Sequence, residues 1–259
     1  WRGFTLAGTS HTHFKSVPDT LSVTQPEVEE FLRDINNTFP GLSAELKDIR
    51  LVHRGLLPSQ EDNATGVRLL KQSAVRDHRQ DGFPGLISIL GVRYTTARYT
   101  AQQAIDTVFS VLHVAATPCQ THNTPVIGGA LNDVREFFKS ATNNTSSVPD
   151  HNTRERLART YGSTHTRLLE TIRNTPEDGE PLSSDCAITR AEVTHAVREE
   201  MAVHLSDALL RRTEAGSAGQ PDDTALRTAA KTMAQELGWS NERIKSEIAD
   251  TQSVYELPV

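Results

Sequence analysis

Aromatic residues are scarce in this 259-residue chain, 5% of positions, so its core must be built from Leu, Val, Ile and Ala. Cysteine is rarer still. Cys119 and Cys186 stand far apart and at no metal-ligand or redox spacing, which excludes a disulfide framework and leaves two unrelated thiols of a reducing compartment. Positive charge is not in surplus: a formal net charge of -6 and a pI near 5.9 exclude the basic face on which nucleic-acid binding depends. The longest apolar runs, Gly85 to Val92 and Val108 to Ala116, fall well short of the ~18–20 residues of a membrane span. No internal repeat is present. Sequons at Asn36, Asn63, Asn143 and Asn144 come with no signal-peptide pattern and are expected to go unused. The chain also lacks an initiator Met and opens as a strand already under way, so a fragment is expected. Missing last is any glycine-rich dinucleotide loop.

What is present divides the chain in two. A mean hydropathy of -0.45 with 36% hydrophobic residues is low but compatible with a globular fold. Phe4, Leu6 and Gly8 alternate with Thr5, Ala7 and Thr9, the pattern of a strand with one buried face. Thr24-Gln25-Pro26-Glu27 is a capping box with Pro just inside a helix that carries Val28, Phe31, Leu32 and Ile35 on one face. Strands are expected at Ile49–His53, Val67–Leu70 and Leu86–Leu90, with a polar, turn-rich stretch at 59–65. A helix is then expected from Thr95 to about His113, with Ala101, Ala104, Ile105, Val108 and Leu112 on its apolar face.

Pro and Gly punctuate the stretch from Thr117 to Gly129, and everything beyond it reads as helix and turn. Helices are expected near Asp133–Ser140, Thr153–Tyr161 and His165–Arg173. A second capping box, Thr189-Arg190-Ala191-Glu192, opens a helix expected to run to about Arg212. Val193, Val197, Met201, Leu205 and Leu209 recur along it every four residues. The next helix spans about Asp222 to Leu237, is stopped by Gly238, and is followed by a last one capped by Ser240. The predicted architecture is α/β over 1–116, a linker over 117–130, and an all-α domain over 131–259.

The stretch with most chemical content is Leu90-Gly91-Val92-Arg93-Tyr94-Thr95-Thr96-Ala97-Arg98, a buried strand, a glycine turn and two threonines opening a helix. Such a turn aims backbone N–H groups at an anion or an electron-rich ring edge. A plain strand–turn–helix connection has the same local pattern. His11, His13 and His53 lack acidic partners at ligand spacing and read as surface or satisfied histidines. Glu199-Glu200 and Arg211-Arg212 read as a solvated or inter-helix charge face, and Met201 and Met233 as core fillers.

Gly91 to Arg98 resembles the Gly-Gly/Val-Lys-x-Thr-Thr-x-Arg segment of FAD-dependent glycerol-3-phosphate dehydrogenases. The resemblance continues in order along the chain. Gly8-Thr9-Ser10 through Phe14-Lys15 resembles that family's Gly-Thr-Thr-Asp…Tyr-Lys-Gly-Asp-Pro strand and loop, and Leu157–Ser163 its Ala-Arg-Thr-Tyr-Gly-Ser helix end. Glu199–Ala202 with Asp207–Thr213, and Met233–Trp239, are similar to its C-terminal helical signatures. The resemblance implies an incomplete FAD/substrate-binding domain of a flavin oxidoreductase followed by the helical domain, with the cofactor's glycine-rich βαβ unit upstream of Trp1. It implies oxidation of sn-glycerol 3-phosphate, or a related small polyol phosphate, to dihydroxyacetone phosphate by hydride transfer to FAD, with quinone as acceptor. It also implies a cytoplasmic protein or one held peripherally on the cytoplasmic membrane. Exposed helical faces would pack on missing polypeptide or on another subunit of a homo-oligomer.

By the same resemblance Gly91, Val92, Arg93, Tyr94, Thr95 and Thr96 contact FAD, largely through backbone groups. Arg93 takes the catalytic position, and Arg93, Arg54 and Thr95 bind substrate. Two departures stand out. Arg93 replaces the family lysine with a bulkier cation that does not lose its proton. Leu57, in Gly55-Leu56-Leu57-Pro58, stands where the family has a substrate-binding arginine, so a charge-assisted contact to phosphate is lost. Arg54 compensates only if its strand slips register, which flips faces. A non-catalytic binding or assembly module, or a flavoprotein with a shifted substrate, is the alternative these departures favour.

Overall fold

The computed structural model describes residues 1, 3–14, 21–62, 66–142 and 149–257. Lys15, the loop expected at 143–147 and the sequons at Asn63, Asn143 and Asn144 lie outside the described residues. Two compact units form: one from Trp1–Ser10, Ser22–His53 and Val126–Val259, the other from His11–Leu21 and Arg54–Pro125. Among the described residues, helices are joined by three two-stranded antiparallel sheets. Among the described residues no helix is long and apolar enough to cross a membrane.

The smaller unit holds β1 (Ser59–Asp62) paired with β2 (Gly66–Leu69), and β3 (Ala74–Asp77) paired with β4 (Ile87–Leu90). Helix α2 (Ala97–Val111) packs on the second hairpin through its buried Thr100 and Ala104. β2, β4 and α2 fall where the hydrophobic pattern put them. β1 does not: Ser59 to Asp62 reads as turn because its side chains are polar, yet its backbone pairs with β2 in register Ser59↔Leu69 to Asp62↔Gly66. A neighbouring strand supplied what side-chain burial did not.

The larger unit begins with α1 (Gln25–Thr38), whose predicted capping box is present: the Glu27 carboxylate accepts from the Thr24 N–H at 2.8 Å and from its hydroxyl at 2.8 Å. Two expected strands are corrected. Phe4–Thr9 and Ile49–His53 are irregular, and Leu6 is 75% exposed. Alternation marks which residues suit a strand, but a ladder also needs a partner for its N–H and C=O groups.

Further on come α3 (Val134–Thr142), α4 (His151–Tyr161) and α5 (His165–Asn174), close to the predicted ranges. Between α4 and α5 the chain touches itself so closely that no side chain fits. Gly162 has φ +55°, and a Cβ there would lie 2.1 Å from the Gly128 carbonyl oxygen, which accepts from the Ser163 N–H. The expectation of helix alone beyond residue 131 is corrected by a short hairpin, β5 (Pro181–Ser183) with β6 (Cys186–Thr189). It drives Leu182 and Ile188 into the main core.

Thr189 ends β6 and caps α6 (Arg190–Glu200). This helix was expected to continue to Arg212, but Met201 takes a left-handed conformation at φ 58° and stops it. Met201 is 83% exposed, so it is a cap rather than a core filler. The chain resumes at α7 (Leu205–Asp207), passes through a π-helical segment at Ala208–Arg212, and restores Leu205 and Leu209 to the core. Helices α8 (Asp223–Leu237) and α9 (Asn241–Ser253) complete the unit, with Leu226, Ala230 and Met233 buried against α6. Gly238 ends α8 in the left-handed region, and Ser240 caps α9 by accepting from the Arg243 N–H, both as the sequence predicts.

A charged side chain sits inside this unit. Glu192 is 1% exposed, and its carboxylate accepts from Arg156 at 2.6 and 2.7 Å. It also accepts from the Thr189 N–H at 2.7 Å, the Thr189 hydroxyl at 3.0 Å and the Tyr161 hydroxyl at 3.3 Å. One residue thus closes the predicted capping box and ties α6 to α4. Burial pulls against the charge on Arg156, but the Glu192 carboxylate overcomes it and holds the guanidinium proton more tightly than usual.

Candidate functional site

The candidate turn leaves the end of the β3–β4 hairpin, whose register runs from Ala74↔Leu90 to Asp77↔Ile87. The hairpin's far end closes through a 3-10 turn, His78–Asp81, with Gly82 in the left-handed region at φ 88°. After β4 the Val92 N–H donates to the Ser73 hydroxyl at 3.2 Å. Arg93 is extended, Tyr94–Thr96 form a 3-10 turn, and α2 follows at once.

The two threonines open the helix differently from the expected pattern. Thr95 and Thr96 lie within the 3-10 turn, and the Thr96 hydroxyl donates back to the Arg93 carbonyl at 3.2 Å instead of capping α2. The Thr96 N–H also reaches the Arg93 carbonyl, at 3.3 Å. Val92 and Thr96 have therefore committed their peptide donors within the chain. The N–H groups of Tyr94 and Thr95 open the turn and, like the first donors of any helix, find no backbone acceptor among the described residues. The turn as a whole is open to solvent: Arg93, Thr95 and Thr96 are exposed, and Tyr94 is 99% exposed.

Gly91 is informative for what it does not need. Its φ is not positive, and a Cβ added there would meet no described atom within 4 Å. Neither its conformation nor its own chain demands glycine, which leaves room for a close approach from outside. Arg93 makes no ion pair among the described residues, so its guanidinium is available.

Arg54 is exposed and irregular in the same unit. Because Ile49–His53 forms no strand, the register slip that would have turned Arg54 to the opposite face has no strand to act on. Leu57 is exposed next to Pro58, whose carbonyl accepts from the Leu70 N–H. His11, His13 and His53 are all exposed. Glu199 pairs with Arg167 at 3.0 Å, and Arg212 donates to the Glu200 carbonyl, so those charges join helices. A groove of about 610 Å³ lies in the other unit, between Phe137, His165 and Arg173, and holds none of the predicted site residues.

Two residues that tie the ends of the hairpin went unnoticed in the sequence. Ser73 holds the Val92 N–H, and His78 bridges Asp81 and Ser88 across the hairpin, at 2.7 Å from Nδ1 and 2.9 Å from Nε2. Only the hairpin register brings Ser88 opposite Arg76 and beside His78. Cys119, half-buried after α2, is drawn below the ordinary thiol range by its hydrogen bond with Thr121.

Residues 119–244 match the family model described as the C-terminal domain of alpha-glycerophosphate oxidase. A glycerol-3-phosphate dehydrogenase of Synechocystis is 26% identical over 250 residues, 96% of this chain and 45% of that protein. Glycerol-3-phosphate dehydrogenase 1 of Mycobacterium bovis is 31% identical over 203 residues, 77% of this chain and 37% of its own length. The solved glycerol-3-phosphate dehydrogenase of Bacillus halodurans, a complex with FAD, superposes with a TM-score of 0.66 at 22% identity, over 94% of this chain and 47% of that one. The chain is thus similar to glycerol-3-phosphate dehydrogenases over 77–96% of its length. It spans less than half the length of these relatives.

Proposed function

We propose that this chain supplies the flavin-facing turn and the helical domain of an FAD-dependent glycerol-3-phosphate dehydrogenase, working in the cytoplasm or on the cytoplasmic face of a membrane. FAD, if bound here, would supply the hydride acceptor for oxidising C2 of sn-glycerol 3-phosphate to the ketone of dihydroxyacetone phosphate, with the hydroxyl proton going to solvent and the electrons on to a quinone. The observation that carries this reading is the open turn: among the described residues nothing lies within 4 Å of a Cβ at Gly91, and the Tyr94 and Thr95 N–H groups at the helix start meet no backbone acceptor. These residues fit a flavin edge, because aligned peptide donors at a helix N-terminus favour negative charge there.

Arg93 is the residue to hold and orient the substrate anion, with the Thr95 hydroxyl beside it and Arg54 as a second cation. Because Arg stays protonated, Arg93 binds and orients but takes no proton. A substrate-shifted or non-catalytic homologue is the second reading, and Leu57 in place of a phosphate-binding arginine favours it.

The test uses the full-length, FAD-loaded protein under anaerobic conditions. Adding sn-glycerol 3-phosphate bleaches the flavin band, and Arg93→Ala raises KM by about tenfold or more, the loss of one charge-assisted contact. A yellow protein bleached by an unphosphorylated polyol instead points to the shifted substrate. A protein that retains no flavin refutes the dehydrogenase reading.

A further inference from the structure

We propose that His78 is a positioning residue for the Gly91–Thr96 turn: by joining Asp81 to Ser88 it locks the hairpin from whose end the turn projects. This rests on the reading of that turn given above.

Apart from the packing of α2 on it, the β3–β4 hairpin has little to fix it. Neither strand contains a fully buried residue, and both Ile89 and Leu90 are exposed. A two-stranded hairpin with so thin a core is marginal by itself. Its connecting loop carries two glycines in left-handed conformations, Gly82 at φ 88° and Gly85 at φ 89°, which add freedom to the unfolded chain and no side-chain packing.

Polar ties compensate for the missing core. The Asp81 carboxylate accepts from Arg76 at 2.8 and 2.9 Å and pairs with His78 Nδ1 at 2.7 Å. His78 Nε2 meets the Ser88 hydroxyl at 2.9 Å, and Ser88 lies directly across the ladder from Arg76. Four side chains therefore form a linked chain, Arg76–Asp81–His78–Ser88, whose two ends are paired across the ladder at the loop end of the hairpin. The backbone agrees, since the His78 N–H donates to Leu86 and its carbonyl accepts from Phe83. At the other end the Ser73 hydroxyl takes the Val92 N–H. The hairpin is pinned at both ends, and the segment from Ser88 to Gly91 is about 10 Å of extended chain that carries any shift of Ser88 into the turn.

Of these side chains His78 is the one that reaches both the loop and β4. Gln and Asn separate its two contacts: Gln places an amide near the Nε2 position and keeps the reach to Ser88, while Asn reaches only toward Asp81. In the cofactor-free protein, His78→Ala and His78→Asn are expected to speed hydrogen exchange in peptides spanning residues 86–96 by about tenfold, with His78→Gln near wild type. In the FAD-loaded, full-length protein, His78→Ala and His78→Asn lower kcat by about tenfold to a hundredfold, the cost of a misplaced reacting group, while KM stays within about threefold. His78→Gln restores most of kcat.

Wild-type exchange, kcat and KM in His78→Ala, in a protein whose flavin sn-glycerol 3-phosphate reduces, overturn the proposal and leave the dehydrogenase reading standing. Equal losses of folded protein in all three variants, with normal kcat in what folds, also overturn it, since His78 then only supports the fold. A wild-type protein that neither holds flavin nor loses exchange protection in His78→Ala overturns both.

Discussion

Replacing Arg156 by Met leaves Glu192 as a buried charge without its counterion. The long apolar stem of Met fills the space of the arginine stem, so the perturbation is mainly electrostatic. Glu192 keeps the Thr189 N–H and hydroxyl and the Tyr161 hydroxyl, which share its charge, but loses two short bonds from a full cation. Breaking one side of a buried pair costs roughly 3–5 kcal/mol, and the three surviving donors place this site near the lower figure. At about 2–4 °C of Tm per kcal/mol for a chain of this size, about 3 kcal/mol corresponds to a fall of roughly 6–12 °C. Denaturant unfolding followed by circular dichroism, on Arg156→Met, Glu192→Gln and the double variant, measures the cost and its coupling. Coupling of about 2 kcal/mol or more is expected, because Glu192→Gln removes the charge that Arg156→Met strands. An Arg156→Met protein within about 1 kcal/mol of wild type would refute the view that this pair joins α4 to α6.

Gly162→Ala is expected to lower stability by about 2 kcal/mol or more, because its Cβ would lie 2.1 Å from the Gly128 carbonyl oxygen at a φ that favours glycine; an unchanged melting temperature would contradict the close approach. Tyr255 gives a pH prediction. Burial pushes its phenol up to about 12, and its hydroxyl donates to the Gly216 carbonyl at 2.9 Å. Because the folded value lies above the unfolded value of about 10, this contribution is fully present below pH ~10 and is lost as pH rises toward about 12. Stability measured by denaturant at about pH 9 and about pH 11.5 should fall more steeply in wild type than in Tyr255→Phe; parallel slopes would refute the assignment.

Local pattern was enough wherever a structure is made from residues close in sequence. The boxes at Thr24 and Thr189, the stop at Gly238 and the cap at Ser240 were all legible, because a cap is a bond between a side chain and a backbone group a few residues away. The order of the strand, turn and helix at residues 87–111 was legible for the same reason. Met201 shows where this stops. Its place in a four-residue apolar repeat suggested a core position, but the helix ends there and the chain re-enters the core at Leu205 by a different path. Periodicity reports which face would be buried if the helix continued, and it does not report whether it continues.

The chain's amino-acid order alone determined where most of its helices lie, the capping boxes at Thr24 and Thr189 and its likeness to glycerol-3-phosphate dehydrogenases, since each depends on residue types at short or fixed spacing. Tertiary structure alone decided which donors in the turn remain free, because Ser73 takes the Val92 N–H across 19 residues. It likewise decided that Glu192 finds Arg156 across 36 residues and that His78 meets Ser88. Hydrogen bonds between distant segments depend on register and packing, which no short window of sequence contains.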